Sequence, residues 1–483
     1  MFFSGKFLNI IFFLMLFVCT TTGKSQNQDG TISNIADNWL RSKELANAGI
    51  GISVIDNSNG ATLIKSEPQI SLVPASIMKV VTTATAMEVL GPDFRFITSL
   101  SYTGIIRNDT LFGDLQIIGG GDPTLGSSYF PETINFQQEW IKVLQQSNIK
   151  FITGNLIIDA GIYESQMIPG SWVWEDLGNY YGAGASGISV YDNLYEIHLK
   201  SPEIADQPTQ IVKIVPEIPN LELHNEVRSS DINSDQAYVF GSPEDSRRVI
   251  RGTIPKGKAD FVVKASMPDP SALLAGEFRK KLLANGISIS GKTSYEKAKN
   301  KGSVLAETLS PPLREIIRLT NFESINLFAE HLLKHLAWQE NGLGTTKEGC
   351  KFLIRFWKDK GLDMSGFFAN DGSGLSRFNA MTASHLTWIL NYMATKSQHS
   401  DVFYETLPTS GEGTMTVFST ESFPRGSLRA KSGSMTRVRC YAGYLKTTSG
   451  KSLSFTVMLN NFSCSQADAV RKIQELLMVF IAI

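Results

Sequence analysis

Strand-forming text occupies both ends of the chain and helix-forming text lies between them, a pattern that suggests one sheet completed from both ends with the long middle inserted. Near the start, residues 50–55 and 61–66 read as strands around Asn57-Ser58-Asn59-Gly60, the turn chemistry of a hairpin. Near the end, residues 427–431, 441–446 and 452–459 read as strands, the last two joined across Thr447-Thr448-Ser449-Gly450-Lys451. A closing helix follows, with Ala467, Val470, Ile473 and Leu477 at helical spacing; its LLMVFIAI tail is eight residues, too short for an anchor. The expected architecture is α+β.

Between these ends the spacing predicts an apolar helix over 76–90, paired strands over 94–102 and 111–118 across Arg107-Asn108-Asp109, a helix over 136–146 and a strand over 154–163. Residues 201–260 hold short strands, prolines and polar turns without a helical period, the mark of a small β-rich insertion. Asp269 then caps a helix with Pro270 at its first position, Leu274, Phe278 and Leu282 on one face, and Gly286 as its stop. Helices dominate from 313 to about 394, interrupted by a loop at Asn370-Asp371-Gly372-Ser373-Gly374.

The 483 residues suffice for roughly three domains. With 45 Lys and Arg against 46 Asp and Glu, the formal charge is −1, and no overall field would gather nucleic acid. The first residues, MFFSGKFLNIIFFLMLFVCTTTG, put Lys6 before a short apolar run and small residues, which reads as a secretory signal over 1–23. Val18 stands where a lipoprotein box wants a small residue, so removal without lipid attachment at Cys19 is expected. Nothing later supplies a membrane span. Cys350, Cys440 and Cys464 remain, an odd number without zinc spacing, so the fold does not depend on disulfides.

Ser76-Ile77-Met78-Lys79 heads the first apolar helix. One turn puts residues i and i+3 on one face, so the Lys79 amine can reach the Ser76 hydroxyl, which lies near the positive end of the helix dipole. A buried lysine loses its charge by desolvation or beside another cation and then serves a serine nucleophile as base; Ile77, Val80, Val81 and Met87 supply the burial. Ser-x-x-Lys arises by chance roughly twice in a chain this long, and the polar Ser294-Tyr295-Glu296-Lys297 is such a case. Two further motifs follow. Ser324-Ile325-Asn326 opens a helix and offers a hydroxyl and a carboxamide, while Lys431-Ser432-Gly433-Ser434 ends a strand, where the lysine and hydroxyls suit a carboxylate and Gly433 admits a ligand to the backbone. Singly, Ser324 reads as an N-cap and Lys431-Ser432-Gly433 as a strand-end turn; all three in order point to one site.

In that order, Ser-x-x-Lys, Ser-x-Asn and Lys-Ser/Thr-Gly, the chain resembles the penicillin-recognising serine acyltransferases, which include penicillin-binding proteins and serine β-lactamases. Lys79 and Ser324 stand 245 positions apart, far more than a compact β-lactamase leaves. The chain is therefore similar to the low-molecular-mass class C penicillin-binding proteins, the D-alanyl-D-alanine carboxypeptidase/endopeptidase group, whose long insertion falls there. Gly91-Pro92-Asp93-Phe94-Arg95-Phe96, Gly119-Gly120-Gly121-Asp122-Pro123-Thr124-Leu125 and Asp371-Gly372-Ser373-Gly374-Leu375-Ser376-Arg377 resemble the same group.

The resemblance implies a transpeptidase-like α+β domain, an antiparallel sheet with helices, made discontinuously from 24–97 and 298–483. An inserted domain would span 98–200 and 261–297, with a small β-rich domain at 201–260 inside it. It implies that Ser76 is the acylated nucleophile, Lys79 its base and Ser324 a proton relay toward the leaving amine. Asn326 would hold the substrate's peptide, Lys431 and Ser432 its terminal carboxylate, and the backbone N–H groups of Ser76 and Ser434 the oxyanion, with Gly433 in the same substrate-facing motif. Asp159 would receive the amino group of a diaminopimelate side chain, and Arg377 would also touch substrate. Ser432 replaces the family's more usual Thr and keeps the hydroxyl.

The implied partners are peptidoglycan stem peptides, with β-lactams as covalent inhibitors, and the implied place of action is the periplasm. A β-lactamase shares the constellation and differs in the speed of deacylation; a cell-wall-binding scaffold with vestigial residues is the non-enzymatic alternative, and the intact motifs speak against it. His331 and His335 imitate a zinc helix, but Glu330 precedes them and no third ligand appears, so a partly solvated helix face is expected. Gly119-Gly120-Gly121 runs into the turn-forming Asp122-Pro123 without the acidic residue of a dinucleotide fingerprint. No metal, nucleotide or redox cofactor is expected.

Overall fold

Five strands from the two ends of the chain meet in one antiparallel sheet: β1 (Gly49–Asp56), β2 (Thr62–Ser66), β3 (Leu428–Met435), β4 (Val438–Lys446) and β5 (Ser452–Asn460), in the order β3-β4-β5-β1-β2. The register sets Ile52 opposite Val457 and Lys431 opposite Ala442. This computed structural model describes Trp39 and residues 42–482 apart from positions 244 and 301, so the export segment at 1–23, with Cys19, lies outside the described residues. Both faces of the sheet are covered, and its central strands are therefore buried almost without alternation.

Helices α1 (Met78–Leu90), α2 (Leu313–Phe322), α3 (Asn326–Asn341), α4 (Thr346–Asp359) and α5 (Ala383–Thr395) cover one face, and α6 (Gln466–Ile481) buries Ala469, Ile473, Leu476, Leu477 and Phe480 on the other. Helix α1 is buried at every residue from Met78 to Met87, the state of a helix enclosed on all sides. Helix α3 is buried from Asn326 to Ala337, which corrects the expectation of a partly solvated face at His331 and His335. The Gly119–Gly121 turn covers that face: His331 donates from Nδ1 to the Gly121 carbonyl at 2.8 Å, and its Nε2 lies 2.9 Å from the Ser189 hydroxyl. Burial pushes the His331 imidazole down to about 3, so it is neutral. No helix among the described residues is long and apolar enough to cross a membrane.

The inserted part is built on a second sheet in the order Thr293–Tyr295, Leu156–Asp159, Leu115–Ile118, Ile97–Tyr102, Ser303–Leu309. The strand expected over 111–118 is two strands. Leu115–Ile118 pairs with Ile97–Tyr102, while Thr110–Phe112 forms a small hairpin with Ile105–Arg107 in another sheet. The break falls where Gly104 and Gly113 let the chain cross itself; a Cβ on Gly104, whose φ is +87°, would sit 2.0 Å from the Phe112 carbonyl oxygen. Sheet membership also differs from the expected boundaries. Ser303–Leu309, assigned by sequence to the catalytic part, pairs with Ile97–Tyr102. Gln210–Val215 joins Leu194–Lys200 and Phe261–Ser266, leaving Glu222–Ser230, Gln236–Phe240 and Arg247–Pro255 as the small unit's own sheet.

Trp140, on the helix Phe136–Gln146, sits at the centre of the inserted part's core. It is fully buried, meets Phe136 and Phe278 edge-on at 5.0 and 5.5 Å, and donates from Nε1 to the Thr308 hydroxyl at 2.8 Å. Trp140→Ala should cost about 3–5 kcal/mol of stability, and Trp140→Phe distinctly less, by denaturant unfolding. Equal losses for the two variants would contradict this account of the packing.

Candidate active site

The turn that presents Ser76 is built against the usual backbone preferences. Ala75 takes φ 48°, a left-handed conformation that is costly for a residue with a Cβ, and the single 3-10 turn Ala75–Ile77 then feeds into α1. Two glycines let neighbouring backbone close around that turn. A Cβ on Gly374, at φ +83°, would lie 1.9 Å from the Ala75 carbonyl oxygen, and one on Gly433 would lie 2.6 Å from the Pro74 carbonyl oxygen and 3.1 Å from the Ser76 nitrogen. Gly433 thus serves first to let the edge strand β3 lie against the backbone of Pro74 and Ser76, where the sequence suggested only room for a ligand.

Lys79 is completely buried and donates to three acceptors: the Ser76 hydroxyl at 3.0 Å, the Asn326 side-chain carbonyl at 2.6 Å and the Ser373 carbonyl at 2.7 Å. Burial brings its amine down to about 7, against the opposing pull of the Asp371 and Glu330 carboxylates. On the other side of Ser76, Lys431, also fully buried, donates to the Ser324 hydroxyl at 2.9 Å and to the Ser432 carbonyl at 2.8 Å. Burial first, then the charges of Lys79 and Arg439, hold it well below the ordinary lysine range. Ser324 reaches this position from a left-handed backbone, φ 60°, two residues before α3 begins, so it is not the helix cap; Ile325 is. The Asn326 carboxamide is engaged at both ends, since its nitrogen donates to the Tyr181 carbonyl at 2.8 Å. In this geometry it positions Lys79 and the Tyr181 segment.

Around these groups stands a shell that sequence reasoning missed. The Glu330 carboxylate accepts from the backbone N–H of Gly372 at 3.0 Å and of Ser373 at 2.8 Å, which fixes the carbonyl that holds Lys79. Burial, then the adjacent Asp371, pushes Glu330 up to about 7. Asp371 itself accepts from Gly374 and Ser376 backbone, the Asn379 carboxamide and the Trp172 indole, all within 2.8 Å. The only sequence signal for Glu330 was its place one turn beyond Asn326 on an apolar helix, a position where an unpaired carboxylate would be costly.

The predicted residues do not all converge. Ser76, Lys79, Ser324, Asn326, Lys431, Ser432, Gly433 and Ser434 come together, but Asp159 does not join them. Its carboxylate is buried and accepts from the backbone N–H groups of Gly161 and Ala298, both at 2.8 Å, so it pins two loops of the inserted part. The carboxylate that the inserted part does bring to the site is Asp176. It lies on the segment between Trp172, bound to Asp371, and Tyr181, bound to Asn326. Partial burial raises the Asp176 carboxyl, opposed by the nearby Arg377 guanidinium and the Tyr181 hydroxyl. Arg377 is exposed on the loop after Asp371, with its guanidinium near the Asp176 carboxyl.

Comparison with known proteins places this constellation. A D-alanyl-D-alanine carboxypeptidase of Actinomadura sp. (strain R39) is 27% identical over 442 residues, 88% of this chain and 80% of that protein. The crystal structure of penicillin binding protein 4 (dacB) from Haemophilus influenzae matches with a TM-score of 0.81 at 22% identity, covering 94% of this chain and 99% of that one. The same protein complexed with a novel β-lactam matches with a TM-score of 0.75 at 20% identity, covering 93% and 98%. These two likenesses establish the shared fold. Residues 32–482 match the D-Ala-D-Ala carboxypeptidase 3 (S13) family from end to end of the described fold, and the chain belongs to that family.

Proposed function

We propose that this protein is a serine D-Ala-D-Ala carboxypeptidase, with endopeptidase action on D-alanyl cross-links, that acts on peptidoglycan stem peptides through an acyl-enzyme on Ser76. The observation that carries this reading is the completely buried Lys79 amine 3.0 Å from the Ser76 hydroxyl. An amine held near 7 is about half neutral at neutral pH and can accept the serine proton. As Ser76 Oγ bonds to the carbonyl carbon of the penultimate D-alanine, the oxyanion falls to the backbone N–H groups of Ser76 and Ser434. Edge strand β3 lies against the nucleophile turn and supports that pairing. The Ser324 hydroxyl, bonded to Lys431, passes a proton to the departing amine. Water then breaks the ester by the reverse proton route.

Lys431 and the Ser432 hydroxyl suit the substrate's terminal carboxylate. An arriving carboxylate compensates the desolvated Lys431 and favours its charged form, which by repulsion keeps Lys79 neutral. Asp176 and Arg377 together suit the free end of a diaminopimelate side chain, which carries an amine and a carboxylate on one carbon; Asp176 takes the amine role that the sequence assigned to Asp159. The export segment supports action in the periplasm. A β-lactam offers the same carbonyl and carboxylate array, and acylation of Ser76 by penicillin is expected.

Intact-mass analysis after penicillin treatment should find one adduct, on the peptide containing Ser76, and none in Ser76→Ala; digestion of purified cell wall should shorten pentapeptide monomers by one alanine and convert cross-linked dimers to monomers. Absence of both adduct and products in folded protein rules the reading out. Because the base must be neutral, the acylation rate should climb as pH rises through about 7 and level off above it. Lys79→Ala should lose about 10²–10⁴-fold at every pH, and a rate that falls as pH rises through 7 would remove Lys79 from the role of base. Asp176→Asn should raise KM for diaminopimelate-containing peptides about tenfold, one lost charge-assisted contact, and leave peptides without that side chain unaffected.

A further inference from the structure

Beside Trp174 of the Trp172–Tyr181 segment, a groove of about 660 Å³ opens against the small three-stranded sheet of the insertion. Trp174 is 56% exposed and meets Phe240 at 4.9 Å with the rings tilted by 39°, so the two make a concave aromatic corner. Leu223 and Val249 also line it, and the charges around it balance in number, Arg247, Arg248 and Arg251 against Glu222, Asp245 and Glu226. Arg247 pairs with Asp245 at 3.1 Å, and Arg251 pairs with Glu226 at 2.7 Å while lying over the Phe240 ring. His224 projects from the sheet with its side chain 70% exposed. Beneath, Arg248 is 4% exposed and its Nε finds no acceptor among the described residues.

An aromatic corner with a dense rim of donors and acceptors and almost no net charge disfavours a polyanion or a cation. It fits a neutral ring that has polarised C–H groups on its faces and hydroxyls around its edge. We propose that this groove is a saccharide subsite that holds the glycan backbone of the polymer whose stem peptide enters the active site, an inference that rests on the function proposed above. Position supports it: Trp174 is two residues, at most about 7 Å of backbone, from both Trp172 and Asp176, and an extended four-residue stem spans about 14 Å. Binding both ends of one substrate would raise the local concentration of stem peptides at Ser76 without any change in the chemistry there.

The test uses the full mature protein and glycan strands from which the stem peptides have been removed, followed by titration of binding and, separately, by turnover of intact cell wall against a sugar-free D-Ala-D-Ala peptide. Trp174→Ala and His224→Ala are each expected to weaken glycan binding at least tenfold and to lower the ratio of cell-wall to free-peptide turnover at least fivefold. His224→Ala changes an exposed side chain and keeps the test decisive where Trp174→Ala fails to fold. Glycan that does not bind at millimolar concentration, or binds both variants as well as the parent, overturns the subsite, as does a turnover ratio that stays constant. Because glycan binding is read without catalysis, a protein that binds glycan but forms no penicillin adduct would sink the proposed peptidase activity and leave the subsite standing.

Discussion

Everything at the site depends on keeping an amine buried without letting it hold its proton. Full burial alone would neutralise Lys79 outright, and a carboxylate in direct contact would lock it as an ammonium. The protein takes a middle course. Glu330 and Asp371 lie close enough to oppose desolvation, yet neither accepts a bond from Lys79; their oxygens are spent on backbone N–H groups and the Trp172 indole. What touches the amine are two neutral carbonyl oxygens and the serine. The acidic pair therefore acts on the lysine through the field and through the Ser373 carbonyl that it aims.

That arrangement requires three remote segments to approach closer than side chains allow, and the glycines follow from it. Gly374 lets the loop after Asp371 touch the carbonyl of Ala75, and Gly433 lets the edge strand touch the carbonyl of Pro74, two residues before Ser76. Both contacts lie below the distance at which a Cβ survives. The left-handed Ala75 and Ser324 are the complementary cost, since each bends the backbone so that a hydroxyl turns into the cleft. The strain is held by the surrounding core, in which α1 is buried from Met78 to Met87.

The parts of this fold with a strong local period were legible in the sequence: the opening hairpin, the apolar helix, the capped helix after Asp269 and the closing hairpin all fall where spacing put them. Sheet membership was not legible, because Leu115–Ile118 and Ser303–Leu309 take partners that no local pattern specifies, and Gly113 interrupts what reads as one strand. At the site, the three motifs were visible because their chemistry is unusual at such spacing. Glu330 and Asp176 were not: one is a single acid inside an apolar helix, and the other sits in an irregular segment without period. Asp159 misled for the opposite reason. It ends a clear strand, Leu156–Asp159, and an acid at a strand end presents itself as functional even when its oxygens cap loop amides.

The insertion helps build the site, because two of the groups that shape the lysine's environment are supplied by it. Tyr181 holds the Asn326 carboxamide through a backbone carbonyl, and Trp172 satisfies one oxygen of Asp371. Removing that segment would leave a buried carboxylate oxygen with only the Ser376 amide and would free the carboxamide to turn. The segment is itself seated on the small β unit: the Val239 amide donates to the Asn179 carboxamide at 3.0 Å, and a Cβ on Gly178 would lie 2.0 Å from the Val239 carbonyl oxygen. The β unit is thus linked to the lysine by three hydrogen bonds, Val239 to Asn179, Asn326 to Tyr181 and Lys79 to Asn326, with the chain joining Asn179 to Tyr181. The small β unit thereby seats the segment whose Tyr181 carbonyl holds the Asn326 carboxamide.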